Sequence, residues 1–306
     1  MARGKLCAVC ECSAEAGRLN ISLCTITFRH QLISLGEIAR FAQQSGFDGI
    51  ELWGAHARNL KAQTDKNADW LHNCGLVVPM ISDYLPLEGD IEVLRERTIE
   101  LCQLARRWRA GKIRTFAGGK ASASTSAEER GHLVARLRDV AAVVQQHGVT
   151  LLIETHPDTL ADSAVSTIRL LEEINHTAVA INFDVLHVWE AGDDPVALHR
   201  EIGEFVQHYH FKNITERRHL AVFKPGNVYS AAGDRTGMTT LFEGAIDYAA
   251  LIPALADVRH ADVSLEWFGD DASRVLRDDC KALRHVIGFE TPYELKGTRP
   301  IRRATP

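Results

Sequence analysis

Eight short β-rich runs alternate with helical patterns along this chain, and that alternation restricts the fold more than any other feature. The runs are ISLCTITF (21–28), GIEL (49–52), VVPMI (77–81), KIRTF (112–116), TLLIET (150–155), VAINFD (179–184), FVQHYHF (205–211) and VSLEW (263–267). Short, nearly continuous apolar runs suit strands buried on both faces. Helical patterns lie between them. LGEIARFAQQSG (35–46) has apolar residues at helical spacing and stops on glycine, and IEVLRERTIELCQLARRW (91–108) is longer and amphipathic. SAEERGHLVARLRDVAAVVQQHG (126–148) opens on a serine cap and ends in glycine. SAVSTIRLLEEIN (163–175), DDPVALHREIG (193–203) and AIDYAALIPALADV (245–258) complete the set. Repeated strand-then-helix units predict a single α/β domain closed as a (β/α)8 barrel. A doubly wound sheet is the rival architecture, but no GxGxxG or P-loop fingerprint is present.

Three segments follow from this reading: a leader over 1–19, the barrel over 20–288 and a polar, proline-containing tail over 289–306. The 306 residues can bury a core without covalent staples. A net charge of −5 gives no drive toward nucleic acid. No apolar run approaches the roughly 18 residues that span a bilayer, and the first residues lack a secretory apolar region, so a cytoplasmic protein is expected. The seven cysteines are scattered and do not form a disulfide framework. Cys7, Cys10 and Cys12 lie close together, but a structural zinc needs a second ligand cluster and none has the spacing.

In a barrel, function sits where strands end. The fifth run ends on Glu154 and His156, and the sixth on Asp184 with His187 three residues on. The seventh carries His208 and His210, then Lys212; the eighth ends on Glu266; the fourth contributes Arg114. Glu154, Asp184, His210 and Glu266 come one per consecutive strand. Three carboxylates and an imidazole suit an octahedral divalent ion, Mn2+ first, with Mg2+, Co2+ or zinc as alternatives. A single carboxylate at a strand end is usually only a helix cap, but four in register would repel unless a cation sat among them. His208 shares a face with His210, one layer deeper, and reads as a packed core histidine. His30 could reach the site or merely cap a helix. The other nine histidines, His199 among them, read as surface residues. Trp53, Trp189 and Trp267 read as core or rim packing. Asp162 is a candidate cap for the helix over 163–175. The long connection over 212–244 holds Phe223, Tyr229 and Arg235 and suits a cover over the site.

The strings SLCTITFRHQLISL (22–35), GFDGIELWGAHARNL (46–60), MISDYL (80–85), KIRTFAGGK (112–120), ETHPDTLAD (154–162), HYHFKNI (208–214), NVYSAAGDRTGM (227–238) and SLEWFG (264–269) carry a resemblance. The chain resembles xylose-isomerase-like TIM barrels, and within them bacterial 3-dehydroshikimate dehydratases of the catechol-siderophore type, over about residues 20 to 288. The resemblance implies a hydro-lyase that converts 3-dehydroshikimate into 3,4-dihydroxybenzoate (protocatechuate) and water, through an enediolate that a metal stabilises. It implies a metal held by Glu154, Asp184, His210 and Glu266. It places His156 and His187 in the proton traffic, with His156 as base and His187 as acid or as its partner. It sets Arg114 and Lys212 on the substrate carboxylate and Tyr84, Phe223 and Tyr229 against the ring. Siderophore synthesis and aromatic catabolism both use this reaction, and the oligomeric state stays open, a homodimer being compatible. A keto-sugar isomerase or epimerase of the same superfamily is the main rival. An endonuclease IV-like repair enzyme is disfavoured by the charge and the sparse ligand set.

Overall fold

The computed structural model describes residues 19–255 and 262–288. Ten strands are present among them: β1 (Asn20–Cys24), β2 (Gly49–Trp53), β3 (Met80–Ser82), β4 (Lys112–Thr115), β5 (Thr150–Glu154), β6 (Val179–Asp184), β7 (Val206–Phe211), β8 (Asn213–Ile214), β9 (Met238–Thr239) and β10 (Asp262–Leu265). Eight close into a barrel in the order β1-β10-β7-β6-β5-β4-β3-β2, every pairing parallel. The remaining pair, β8 and β9, is a small antiparallel ribbon. The helices are α1 (Leu35–Ser45), α2 (Gly54–Asn59), α3 (Ala68–Asn73), α4 (Ile91–Trp108), α5 (Ala127–Gln146), α6 (Ala164–Ile174), α7 (Val185–Glu190), α8 (Pro195–Ile202), α9 (Pro225–Val228), α10 (Tyr248–Ala254) and α11 (Ala272–Val286). The expected (β/α)8 barrel is therefore the observed fold. The leader cysteines and the tail lie outside the described residues.

Local chemistry explains where the elements stop. Ser34 and Ser126 each form reciprocal caps, with Glu37 and Glu129, at the starts of α1 and α5. Gly46, at φ 85°, ends α1 in the left-handed region that suits glycine. The first β-rich run is shorter than its composition predicts, because Thr25–Phe28 coils into a 3-10 turn after Cys24. Thr25 Oγ1 there accepts from Trp53 N at 2.9 Å, and Thr27 Oγ1 from Trp267 N at 3.2 Å. These hydroxyls tie together the rims of three strands where a longer ladder would have run past the barrel. Pro79, which has no N–H, limits the third run to Met80–Ser82, and Val77 makes only an isolated bridge to Gly49. Five helices, α2, α3, α7, α9 and α11, have no counterpart among the helical patterns of the sequence. The residues of α7, VLHVWE, are β-branched and aromatic enough to read as a continued strand, yet Asp184 caps them as a helix by accepting from His187 N at 3.2 Å.

Alternation along each strand sorts the side chains. Ile153, Phe183, Tyr209, Phe211 and Leu265 pack outward in the large core between barrel and helices. The opposite parity faces the lumen. Met80, Leu152 and Ala180 form a separate apolar cluster there. One step toward the carboxyl ends of the strands, at the mouth, register aligns Glu154 with Asn182 and Asp184 with His210. The connection after β7 is pinned at its base: Asn213 Nδ2 donates to Leu241 O at 2.7 Å and to Ile246 O at 2.8 Å.

Candidate active site at the barrel mouth

Four strand ends bring Glu154, Asp184, His210 and Glu266 together, all buried. His210 Nδ1 lies 3.6 Å from Glu154 Oε1, 3.6 Å from Glu266 Oε1 and 3.9 Å from Asp184 Oδ2. Asp184, His210 and Glu266 form one cluster with metal-ligand spacing, and Glu154, Asp184 and His187 form another. His210 Nδ1 is buried without a hydrogen-bond partner and faces oxygens of Glu154, Glu266 and Asp184. Buried polar atoms are rarely left so, and converging lone pairs of this kind suit a cation. Three carboxylate oxygens and one imidazole nitrogen are a donor set for a hard or borderline divalent ion.

Cations already neutralise part of this charge. The ammonium of Lys212 donates to Asp184 Oδ2 and, at 2.8 Å, to Glu266 Oε2. Arg114 Nε lies 2.8 Å from Glu154 Oε2, an ion pair whose N–H is not aimed at the oxygen, so both atoms lack a hydrogen bond. Burial opposes ionisation of Glu154, but the Arg114 and His210 charges outweigh it and hold that carboxyl well below its ordinary range. Asp184 is lowered as well, burial again being overcome, here by His187 and Lys212.

Above these groups lies a cavity of about 220 Å³. Arg114, Lys212, Tyr84, Phe223 and Tyr229 all line it, as do Glu154, Glu266, His156 and His187. Asp184 and His210 sit just beneath. The guanidinium of Arg114 stacks 5.3 Å from the Tyr84 ring and 5.1 Å from Phe116. Tyr229, 43% exposed, stacks on Trp53 at 6.1 Å and shares a 2.9 Å hydroxyl–hydroxyl hydrogen bond with Tyr84.

The two histidines face each other, ring centroids 4.5 Å apart. His156 also stacks on Phe116 at 4.1 Å. Its Nδ1 lies 2.8 Å from Pro157 O. A carbonyl only accepts, so Nδ1 carries the proton and Nε2 keeps its lone pair. Burial, then the neighbouring His187, push the His156 imidazole down to about 3, so it is neutral near pH 7. His187 Nδ1 donates to Glu190 Oε2 at 2.8 Å, which turns Nε2 toward Asp184, 3.8 Å from Oδ2.

Several residues stand elsewhere than sequence suggested, or went unremarked. His199 is buried, not on the surface, with Nε2 2.6 Å from the Tyr209 hydroxyl. The apolar outward face of β7 receives it. Asp162 does not cap α6. Its Oδ2 accepts from Ser122 N at 2.8 Å, and Ser163 holds the cap position without a side-chain bond. His30 is exposed and lies 3.3 Å from Val228 O. Phe116 and Phe268 line the cavity, and Glu51 lies under His210; none of the three was singled out. For Phe116 the signal was available, since it directly follows the strand that carries Arg114.

The profile of the xylose isomerase-like TIM barrels matches residues 39–286, and the chain belongs to that family. Within it, the chain is 47% identical over 271 residues to a 3-dehydroshikimate dehydratase of Bacillus anthracis, covering 87% of this chain and 96% of that one. A crystal structure described as the probable 3-DHS dehydratase AsbF, involved in petrobactin synthesis in Bacillus anthracis, superposes with a TM-score of 0.83 at 46% identity, covering 87% of this chain and 98% of the other. The IOLI protein, solved with a bound zinc atom, shares the fold with a TM-score of 0.72 at 15% identity over 88% of this chain and 98% of its own. No helix among the described residues is long and apolar enough to cross a membrane.

Proposed function

We propose that this protein is a metal-dependent 3-dehydroshikimate dehydratase that forms 3,4-dihydroxybenzoate and water. The geometry supports proton abstraction beside a carbonyl, and that class includes isomerases. The observation that selects the dehydratase is the 47% identity to the Bacillus anthracis enzyme across 87% of the chain.

Glu154, Asp184, His210 and Glu266 would hold the ion, with Mn2+ favoured and Mg2+ or Co2+ as alternatives. When bound, such an ion supplies Lewis acidity to substrate oxygens. The remaining roles belong to the chain's own side chains. His156, neutral and with Nε2 open toward the cavity, accepts the proton from the carbon next to the ketone. His187, oriented by Glu190, hands a proton to the departing C5 hydroxyl, which leaves as water. A proton then leaves C6 and the former ketone oxygen takes one up, which completes the aromatic ring with no net change in protons. Arg114, with Nη1 buried and unpartnered, receives the substrate carboxylate. Lys212 stays beside the carboxylates of Asp184 and Glu266 and limits their mutual repulsion. Tyr84, Phe223 and Tyr229 pack against the ring. The petrobactin context of the AsbF structure favours siderophore synthesis as the setting.

The test is a chelated sample supplied with 3-dehydroshikimate and, in turn, each divalent ion. Catechol absorbance that appears only with an ion is expected. No product at high enzyme concentration with any ion would overturn the assignment.

A further inference from the structure

Glu51 is fully buried and outside every role described so far. It lies on β2, across the barrel from the strands that carry the four proposed metal ligands. Ile50 and Leu52, its neighbours, pack outward into the core, so Glu51 points into the lumen. It does not line the substrate cavity. A carboxylate in such a place is costly unless its oxygens are satisfied. They are. Oε2 lies 2.9 Å from His210 Nε2 and 3.4 Å from His208 Nε2, and Oε1 accepts from the Cys24 thiol at 3.5 Å. His208 is itself held 2.8 Å from Ser264 Oγ.

We propose that Glu51 is a positioning residue that fixes His210 as a metal ligand, a role that rests on the metal reading above. Only a neutral imidazole can ligate, and in that form the contact with the Glu51 carboxyl keeps the one ring proton on Nε2. That leaves the lone pair on Nδ1, the atom that lies 3.6 to 3.9 Å from the other three ligand side chains and has no partner of its own. The same bond stops the ring from turning about its Cβ–Cγ bond and makes Nδ1 a stronger donor. His208 and Cys24 hold Glu51 from its other sides, so the carboxylate cannot swing to another acceptor position. Histidine ligands in general need such a partner, and its removal typically weakens metal binding about 10- to 100-fold.

The experiment uses the whole chain, stripped of metal and titrated with Mn2+, with unbound ion counted by electron paramagnetic resonance. Wild type should bind one ion. Glu51→Gln keeps an acceptor oxygen and loses the charge, so a modest weakening, roughly 3- to 10-fold, is expected. Glu51→Leu removes the acceptor and should weaken binding about 10- to 100-fold. With Co2+ in place of Mn2+, the visible bands should shift in both variants. At saturating ion, KM for 3-dehydroshikimate should stay within about twofold of wild type while kcat falls, because Glu51 does not touch the cavity. If Glu51→Leu fails to fold, Glu51→Gln decides. Variants with lower melting temperature but wild-type ion affinity and Co2+ spectrum would overturn the proposal and leave the metal reading intact. A second ion lost only with Glu51 would make it a ligand instead, also against the proposal. No binding by wild type would remove the metal reading and this proposal together.

Discussion

Two halves of the barrel mouth differ in what their strands end on. The β5, β6, β7 and β10 side ends on Glu154, Asp184, His210 and Glu266, all buried and mutually close. The β2, β3 and β4 side ends on or near Trp53, Tyr84, Arg114 and Phe116, an aromatic wall with one guanidinium stacked in it. The barrel scaffold is the same on both sides, and the same strand alternation governs both. What differs is the kind of atom offered to the cavity: anionic oxygen on one side, aromatic faces and a cation on the other. A ring that bears a ketone, adjacent hydroxyls and a carboxylate needs both, with its oxygens toward the first half and its carboxylate toward the second. On the proposed function, the difference would put the chemistry in one half and recognition in the other.

The strongest way to break that division is to remove a ligand. Glu154→Ala and Asp184→Ala should each lower kcat/KM by about 10³-fold or more, since Lewis-acid stabilisation is worth several kcal/mol. Assays in excess Mn2+, with circular dichroism confirming the fold, check this. Activity within tenfold of wild type would mean the acidic half is not where the chemistry occurs. Next in size is Arg114→Lys, which swaps a planar fork for a point charge. A charge-assisted hydrogen bond is worth about 1.5–3 kcal/mol, so KM should rise roughly 10- to 100-fold with a smaller change in kcat. A fall in kcat at unchanged KM would instead place Arg114 with the chemical half, through its contact with Glu154.

These halves were unequally legible in the sequence. The barrel could be read because strand and helix periods alternate eight times, and no local accident erases that. The acidic half could be read because its residues occupy equivalent places, directly after apolar runs, on consecutive strands. Glu51 could not. GIEL shows one carboxylate in a four-residue strand, and only closure of the barrel brings β2 across from β7 and sets that oxygen against His210 Nε2. Lys212 was placed at the mouth correctly, but its bonds to Asp184 and Glu266 depend on which way a flexible side chain turns, and no sequence pattern records that. Asp162 failed for a related reason: its neighbour Ser122 belongs to the preceding βα loop, distant in sequence and adjacent only in the fold.

Asp279, on α11, sharpens the comparison from outside the mouth. Like the acids of the ligand half it is buried, but no described cation is bonded to it, and its carboxylate accepts only from Leu241 N at 2.9 Å. Burial pushes its carboxyl up to about 7, opposite to the shift at Glu154 and Asp184. A carboxyl raised on folding holds its proton in the folded state when the unfolded chain has lost it. Its stabilising contribution is complete below about pH 4 and is lost as pH rises through about 7. Asp279→Asn keeps an acceptor for Leu241 N and cannot ionise. It should therefore be more stable than wild type at pH 8, on the order of 1–3 kcal/mol, and nearly equal to it at pH 4. Urea unfolding at the two pH values measures the difference. Parallel pH curves for variant and wild type would show that burial alone does not set this carboxyl.

The smallest expected effect lies in the recognition half. Tyr229 reaches the mouth from the connection after β7 and meets Tyr84 through the 2.9 Å hydroxyl bond. Its ring also rests on Trp53, an apolar contact that does not need the hydroxyl. Tyr229→Phe removes one neutral hydrogen bond, worth about 0.5–1.5 kcal/mol, and leaves the stacking in place. Tyr229 is partly exposed, so water can replace part of that bond and the lower end of the range applies. KM should rise about two- to fivefold and kcat should hold. Tyr84→Phe removes the same bond from the other side, and the double variant should be no worse than either single one if the pair acts as a unit. Additive losses would show instead that each hydroxyl meets the substrate separately. The wall opposite the acids would then be reading the substrate's polar groups as well as its ring.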